Sequence, residues 1–135
     1  MVPRERSAAY RALGHWNDVT VDDLVRAAVA RAPEREALVD PSNKDALLAL
    51  PARRLSWAEL AHAVARCARA LDDRKLTKDD VLLVQLPNCV EQVVVYLACM
   101  RRGIAVTPVP VQYREHELAQ IFAVTHAKAA LTGAT

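Results

Sequence analysis

Cys89 is the residue of this sequence best placed for nucleophilic chemistry. It opens an apolar helical run, and a thiol at a helix N-terminus has its thiolate favoured by the dipole. A nucleophile of this kind also needs a base, and no histidine is tied to Cys89 by a local motif, so a small buried side chain is the expected role. Cys67 and Cys99 complete an odd set of 3 cysteines. None of the three shows the two-residue spacing of a metal site, and buried free thiols in a reducing compartment are expected. His15, His62, His116 and His126 never stand at the spacing of two ligands on one helix face, which argues against a metal centre. Glycine occurs only at positions 14, 103 and 133. That scarcity excludes the glycine-rich loops whose backbone N–H groups cradle phosphate, so neither a P-loop nor a dinucleotide fingerprint can be written. Arg53 with Arg54, and Arg101 with Arg102, read as surface pairs, the second serving the negative end of a helix.

The element that organises the rest is the stretch from Asp79 to Leu118. Val81 to Leu86 is an apolar, β-branched run of the kind buried on both faces of a parallel sheet, and Pro87 ends it. Asn88 with Glu91 has the spacing of a capping box, which predicts a helix from Cys89 to about Arg102, stopped by Gly103 in the left-handed conformation. Ile104 to Thr107 follows as a strand that Pro108 and Pro110 keep from running on as a central one. One helix between two strands predicts a parallel pair with a right-handed crossover. The helix is apolar all round between Gln92 and Arg101, which predicts burial on every side. It is too short for a bilayer, which needs about 20 apolar residues, so its cover must be protein, and more than this chain supplies.

The flanking elements are read from the same signals. Thr20 with Asp23 predicts a capped helix carrying the stripe Leu24, Val25, Ala28, Val29 and Ala32 as far as Pro33. Glu36 to Asp40 and Leu55 to Trp57 read as a hairpin, with PSNKDALLALPAR between them as a long turn whose LLAL extends the second arm. Ser56 with Glu59 opens a second helix that buries Leu60, Ala61, Val64, Cys67, Ala68 and Leu71. Glu115 to about Ala127 is expected to be helical, burying Leu118, Ile121 and Phe122 and exposing Arg114, Glu117 and Gln120. Ala129 to Thr132 is a final strand, with another helix or loop expected from Gly133, Ala134 and Thr135. Residues 1–19 are expected to form an N-terminal arm with Tyr10, Leu13 and Trp16 along a surface, and 20–135 an incomplete α/β domain. No repeat or low-complexity segment is present.

Composition sets the outer bounds. The 135 residues are 53% apolar, enough for a core, and 18 basic against 16 acidic side chains leave a dispersed net charge of +2. Neither nucleic acid nor an anionic membrane is implied by such a field. Aromatic residues make up 4% of the chain and do not interleave with the basic ones, which argues against a single-strand stacking platform. MVPRERS lacks the apolar centre of a secretory signal, so a cytoplasmic protein is expected.

The order of several pieces goes further. YRALGHW before a Thr-capped helix, PEREALVD, LSWAEL at Leu55 to Leu60, DDVLLVQLPNCVEQVVVYLACMRRGIAVTPV and YREHEL follow one another as in the N-terminal part of the AMP-forming acyl-CoA synthetase and adenylating ligase superfamily, which this chain resembles from Tyr10 onward. LSWAEL looks like the first core motif of that superfamily and ACMRRGIAVTPV like its second. The resemblance implies an α/β fold: a partial N-terminal subdomain with βαβ units, parallel strands and covering helices, plus a short antiparallel hairpin. It also implies that glycines usual at Asp79 and near Arg74 are missing, leaving those two turns altered or strained.

For the full-length enzymes it implies ATP, Mg2+ and CoA, a carboxylic acid substrate such as an aryl or fatty acid, an acyl-adenylate with release of pyrophosphate, and then thioester formation. The lysine-bearing phosphate loop, the nucleotide contacts and the mobile C-terminal domain of such enzymes would all lie beyond Thr135. Hence no catalytic, cofactor-binding or metal residue is carried over to this chain, and the chain alone is expected to bind none of these cofactors. The alternative is a truncated, non-catalytic module that binds a homo-oligomeric or ligase-like partner through exposed apolar surface.

Overall fold

The computed structural model describes residues 3–133; Ala134 and Thr135, where a further element was expected, lie outside the described residues. The elements are α1 (Arg4–Ala12), α2 (Val21–Arg31), β1 (Glu36–Val39), α3 (Lys44–Leu48), β2 (Arg54–Ser56), α4 (Trp57–Asp73), β3 (Val81–Gln85), α5 (Val90–Arg102), β4 (Ala105–Pro108), α6 (Glu115–Thr125) and β5 (Ala129–Thr132). β1 and β2 form an antiparallel hairpin, and β3 lies between β4 and β5 in a parallel sheet. This is the α/β architecture expected of the sequence.

β3 takes the centre because its residues have no polar side to show: Leu82, Leu83 and Val84 are all buried. Leu82 and Val84 meet α4 and α5 through Leu60, Val64, Ala68, Leu71, Val94, Val95, Ala98 and Cys99, one continuous core. The amphipathic spacing of α4 decides which face it buries, with Leu60, Val64, Ala68 and Leu71 inside and Ala61 and Cys67 only half-buried. Ser56 Oγ accepts from Glu59 N at 3.2 Å and Ser56 N donates to the Glu59 carboxylate at 2.8 Å, so the capping box forms as spaced. Thr20 and Asp23 do the same for α2. The apolar stripe of α2 is narrower than expected, because Val25 is buried while Leu24 is 61% exposed.

Several expectations are corrected. The run after β1 is not a turn extending the hairpin; Lys44–Leu48 is a helical turn, closed by Ala49 in the left-handed conformation at φ +52°. α5 starts at Val90 rather than Cys89, and Asn88 is not its cap. The cover of α5 is supplied largely within the chain: from Val90 to Cys99 every residue is buried or half-buried, and exposure begins in the last turn, at Met100 (52%) and Arg102. α6 buries none of its residues, since Leu118, Ile121 and Phe122 are half-covered, as is Glu117, and Val124 is 81% exposed. Uncovered apolar surface therefore lies more at α6 than at α5, and also at Leu13, Val19 and Leu24. Within the expected arm, α1 is a helix with no buried residue, and Tyr10 packs edge-on against His15 and Trp16, at 6.3 and 5.2 Å between ring centroids.

The two turns expected to be strained do carry L-residues in the left-handed region, Lys75 at φ +61° and Asp79 at φ +69°. Asp tolerates that region better than Lys does. Lys75 is exposed, and only its carbonyl, which accepts from Lys128 Nζ at 2.6 Å, is engaged in a side-chain bond. Relief of the Cβ clash outweighs the entropy that glycine loses on folding, so Lys75→Gly is expected to raise the unfolding free energy by about 0.5–1 kcal/mol, with a smaller gain for Asp79→Gly. Urea denaturation of the two variants checks the order.

Candidate functional site

An open cleft of about 850 Å³ lies where β3 and β5 end, the position at which open parallel sheets present ligand crevices. α3 supplies Leu47 and Leu48 to one wall, the loop before α6 supplies Val111 and Tyr113, and α6 supplies Leu118 and Phe122. Two of its polar side chains hold the loop before α6 in place. Gln85 Nε2 donates to the Pro110 and Tyr113 carbonyls at 3.0 and 2.9 Å, which ties the proline loop to the sheet end. The Arg114 guanidinium donates to the Val111 and Tyr113 carbonyls at 2.9 and 3.3 Å.

Beneath α3 sits a buried ionic cluster that no local pattern announces. Lys44, 1% exposed, donates from Nζ to Asp40 Oδ2 at 2.7 Å and to Glu91 Oε1 at 2.8 Å. Asp40 Oδ2 also accepts from Arg53 N at 2.9 Å, and its Oδ1 accepts from Val90 N at 2.7 Å. Arg53 reaches Glu91 Oε1 at 3.0 Å. Asp40 thus caps α5 from a distance, in place of Asn88, and Glu91 Oε1 accepts from the two cations. Burial works to raise the Asp40 and Glu91 carboxyls, but the Lys44 ammonium and the backbone donors prevail, and both sit below the ordinary carboxylate range. Burial likewise works against the Lys44 charge; its two carboxylate partners overcome it and hold the ammonium above its usual range. The cluster anchors one end of α3, and the other end of α3 forms the cleft wall.

The residues singled out for chemistry are dispersed. Cys89 is buried, and burial followed by the Glu91 carboxylate pushes its thiol up, the opposite of an activated nucleophile. Burial raises Cys67 and carries Cys99 to about 11. His15, His62, His116 and His126 are all exposed on separate elements or helix ends. Arg54 pairs with Glu36 at 2.6 Å and Arg102 with Asp72 at 2.6 Å, as surface residues do. Arg101 differs: half-buried, it donates to Asp22 at 2.7 Å and joins the end of α5 to the first turn of α2. Among the described residues no group of His, Cys, Asp or Glu is arranged to hold a metal. No helix among them is long and apolar enough to cross a membrane.

The family described as AMP-binding enzyme matches residues 25–135. The chain belongs to that family. It is 34% identical, over 94% of its own length and 21% of the relative's, to 2-hydroxy-7-methoxy-5-methyl-1-naphthoate–CoA ligase of Streptomyces carzinostaticus. With salicyl-AMP ligase/salicyl-S-ArCP synthetase of Mycobacterium tuberculosis it shares 36% identity over 75% of the chain and 17% of that protein. The chain spans about a fifth of the length of these curated relatives. The N-terminal subdomain of Klebsiella oxytoca NpsA superposes with a TM-score of 0.70 at 22% identity, over 84% of this chain and 27% of that one, which shows the shared fold. The chain corresponds to the N-terminal portion of an adenylate-forming ligase.

Proposed function

We propose that this chain is the scaffold portion of an AMP-forming acid ligase that activates an aryl carboxylate with ATP and passes the acyl group to CoA or a carrier thiol. The observation that carries the reading is the family match over residues 25–135. The aryl substrate is suggested by the naphthoate and salicylate named for two of the most similar relatives. In this reading residues 20–135 form an incomplete domain preceded by an arm at 1–19, contribute structure rather than catalytic groups, and work in the cytoplasm, in keeping with three free thiols. Mg2+, ATP and CoA are engaged by the remainder of the enzyme, where charge on the transferring phosphate is met by cations and backbone donors.

The test is a graft. Residues 20–133 replace the matched segment of the Streptomyces ligase, and acid-dependent ATP–pyrophosphate exchange is measured beside the 135-residue chain alone. Exchange is expected from the graft and none from the chain. A folded graft without exchange, or acid-dependent pyrophosphate release by the chain, overturns the reading.

A further inference from the structure

A second groove, of about 430 Å³, opens among α4, α5 and β5, and its size falls within the range of small-molecule pockets. Apolar side chains make most of its lining: Ala63 and Cys67 from α4, Val94 and Val95 from α5, Leu131 from β5, and Leu86 just after β3. Three charged side chains complete it, Arg53, Arg66 and Glu91. Arg53 and Glu91 belong with Lys44 and Asp40 to the ionic cluster, two cations against two anions, so that cluster is neutral as a unit. Arg66 is the surplus. It is exposed and joins no ion pair among the described residues. The groove therefore combines an apolar lining with one uncompensated positive charge.

We propose that this groove binds a small aryl monocarboxylate, with the ring on the apolar lining and the carboxylate on the Arg66 guanidinium. One surplus cation balances one anion, which favours a monocarboxylate over a phosphate or a dicarboxylate. A guanidinium offers two parallel N–H groups that match the two oxygens of a carboxylate, and its plane also stacks on aromatic faces. The apolar lining leaves the rest of the ligand nothing to hydrogen-bond, so its body must be apolar. A rigid ring also loses less freedom on binding than a flexible alkyl chain does. Such binding goes beyond the ligase reading and does not depend on it, since every residue of the groove lies in this chain.

Titration of the 135-residue chain with 1-naphthoate, followed by methyl NMR, tests it. The methyl signals of Ala63, Val94, Val95 and Leu131 are expected to shift saturably, while those of Leu118 and Ala119 in the 850 Å³ cleft stay in place. Arg66→Gln, at an exposed position, is expected to keep the melting temperature and to weaken binding about tenfold, the loss of a charge-assisted hydrogen bond. 1-Naphthalenemethanol, the same body without the charge, is expected to bind parent and variant alike, and more weakly than the acid binds the parent. Octanoate is expected to bind more weakly than the naphthoate. Cys67, the half-buried thiol of the three, supplies a second readout: saturating naphthoate is expected to slow its labelling by N-ethylmaleimide. Absence of a saturable shift, shifts confined to the cleft residues, an alcohol that binds as tightly as the acid, octanoate that binds as tightly as the naphthoate, an Arg66→Gln affinity equal to the parent's, or unchanged Cys67 labelling each overturns the proposal.

Discussion

Asp40→Ala is expected to lower the unfolding free energy by about 3–5 kcal/mol, the range for removing one partner of a buried ion pair. The substitution strands Lys44, which is 1% exposed, with Glu91 as its remaining anion, and it removes the acceptor for the backbone N–H groups of Arg53 and Val90. Asp40→Asn is expected to cost less, since an amide oxygen still accepts one of those bonds while the charge is lost. Urea denaturation of both variants at neutral pH gives the comparison, and equal stability of Asp40→Ala and the parent chain would remove the cluster from the account of the fold.

The pH dependence follows in sign from the same groups. Asp40 and Glu91 titrate lower in the folded chain than unfolded, so their contribution is complete above the unfolded carboxylate values and is lost as pH falls through the folded ones. Asp80, drawn to about 2 by Lys128 and then by Thr77, adds to that acid limb between about pH 4 and 2. Lys44 titrates higher when folded, so its contribution is complete below the ordinary lysine value and lost as pH rises through the folded one. Asp40→Ala should flatten the acid limb, which a pH series of urea midpoints measures.

The second large effect is expected at the centre of the sheet. Leu82 is 2% exposed and meets α4 and α5 in the core. Leu82→Ala removes that side chain's transfer energy and leaves a cavity that two helices and a strand cannot all close, a loss of about 2–5 kcal/mol. The exposed Leu24→Ala is expected to cost less than about 0.5 kcal/mol, although the two leucines are alike in a hydropathy plot. Thermal and urea unfolding of the pair tests whether β3, rather than the α2 stripe, carries the core.

What could be read from the sequence was what is decided within a few residues. Thr20 with Asp23 and Ser56 with Glu59 are three apart and cap their helices as spaced, because both members of each box lie on one turn. The run Val81 to Val84 became the body of the central strand because no polar position interrupts it. Asn88 with Glu91 has the same local spacing as those boxes and failed, because Asp40 and Lys44 compete for the same groups from a distant part of the chain. α3 was missed for a related reason: a five-residue helical turn has too little periodicity to see, and the burial of Lys44 stabilises it only once Asp40 and Glu91 are beside it. α6 is less buried than its apolar spacing suggests because Leu118 and Phe122 line the open cleft. The ionic cluster, the cleft wall and the outer edge of β5 depend on tertiary placement, which no local pattern carries.

The remote cap on α5 bears on the order in which the chain acquires its structure. Asp40 and Val90 are 50 positions apart, so the helix at the centre of the core cannot complete its first turn until the hairpin has docked. Contacts of such separation slow folding, because the intervening loop must close before the bond rewards it. Synthesis runs in the favourable direction. A ribosome delivers β1, α3 and β2 before α5, so the acceptor is already waiting when Val90 emerges, and the helix can form against a prepared surface. A circular permutant that made α5 first would have to fold its most apolar helix without that surface, exposing Val94, Val95 and Ala98 to aggregation for as long as the hairpin was missing.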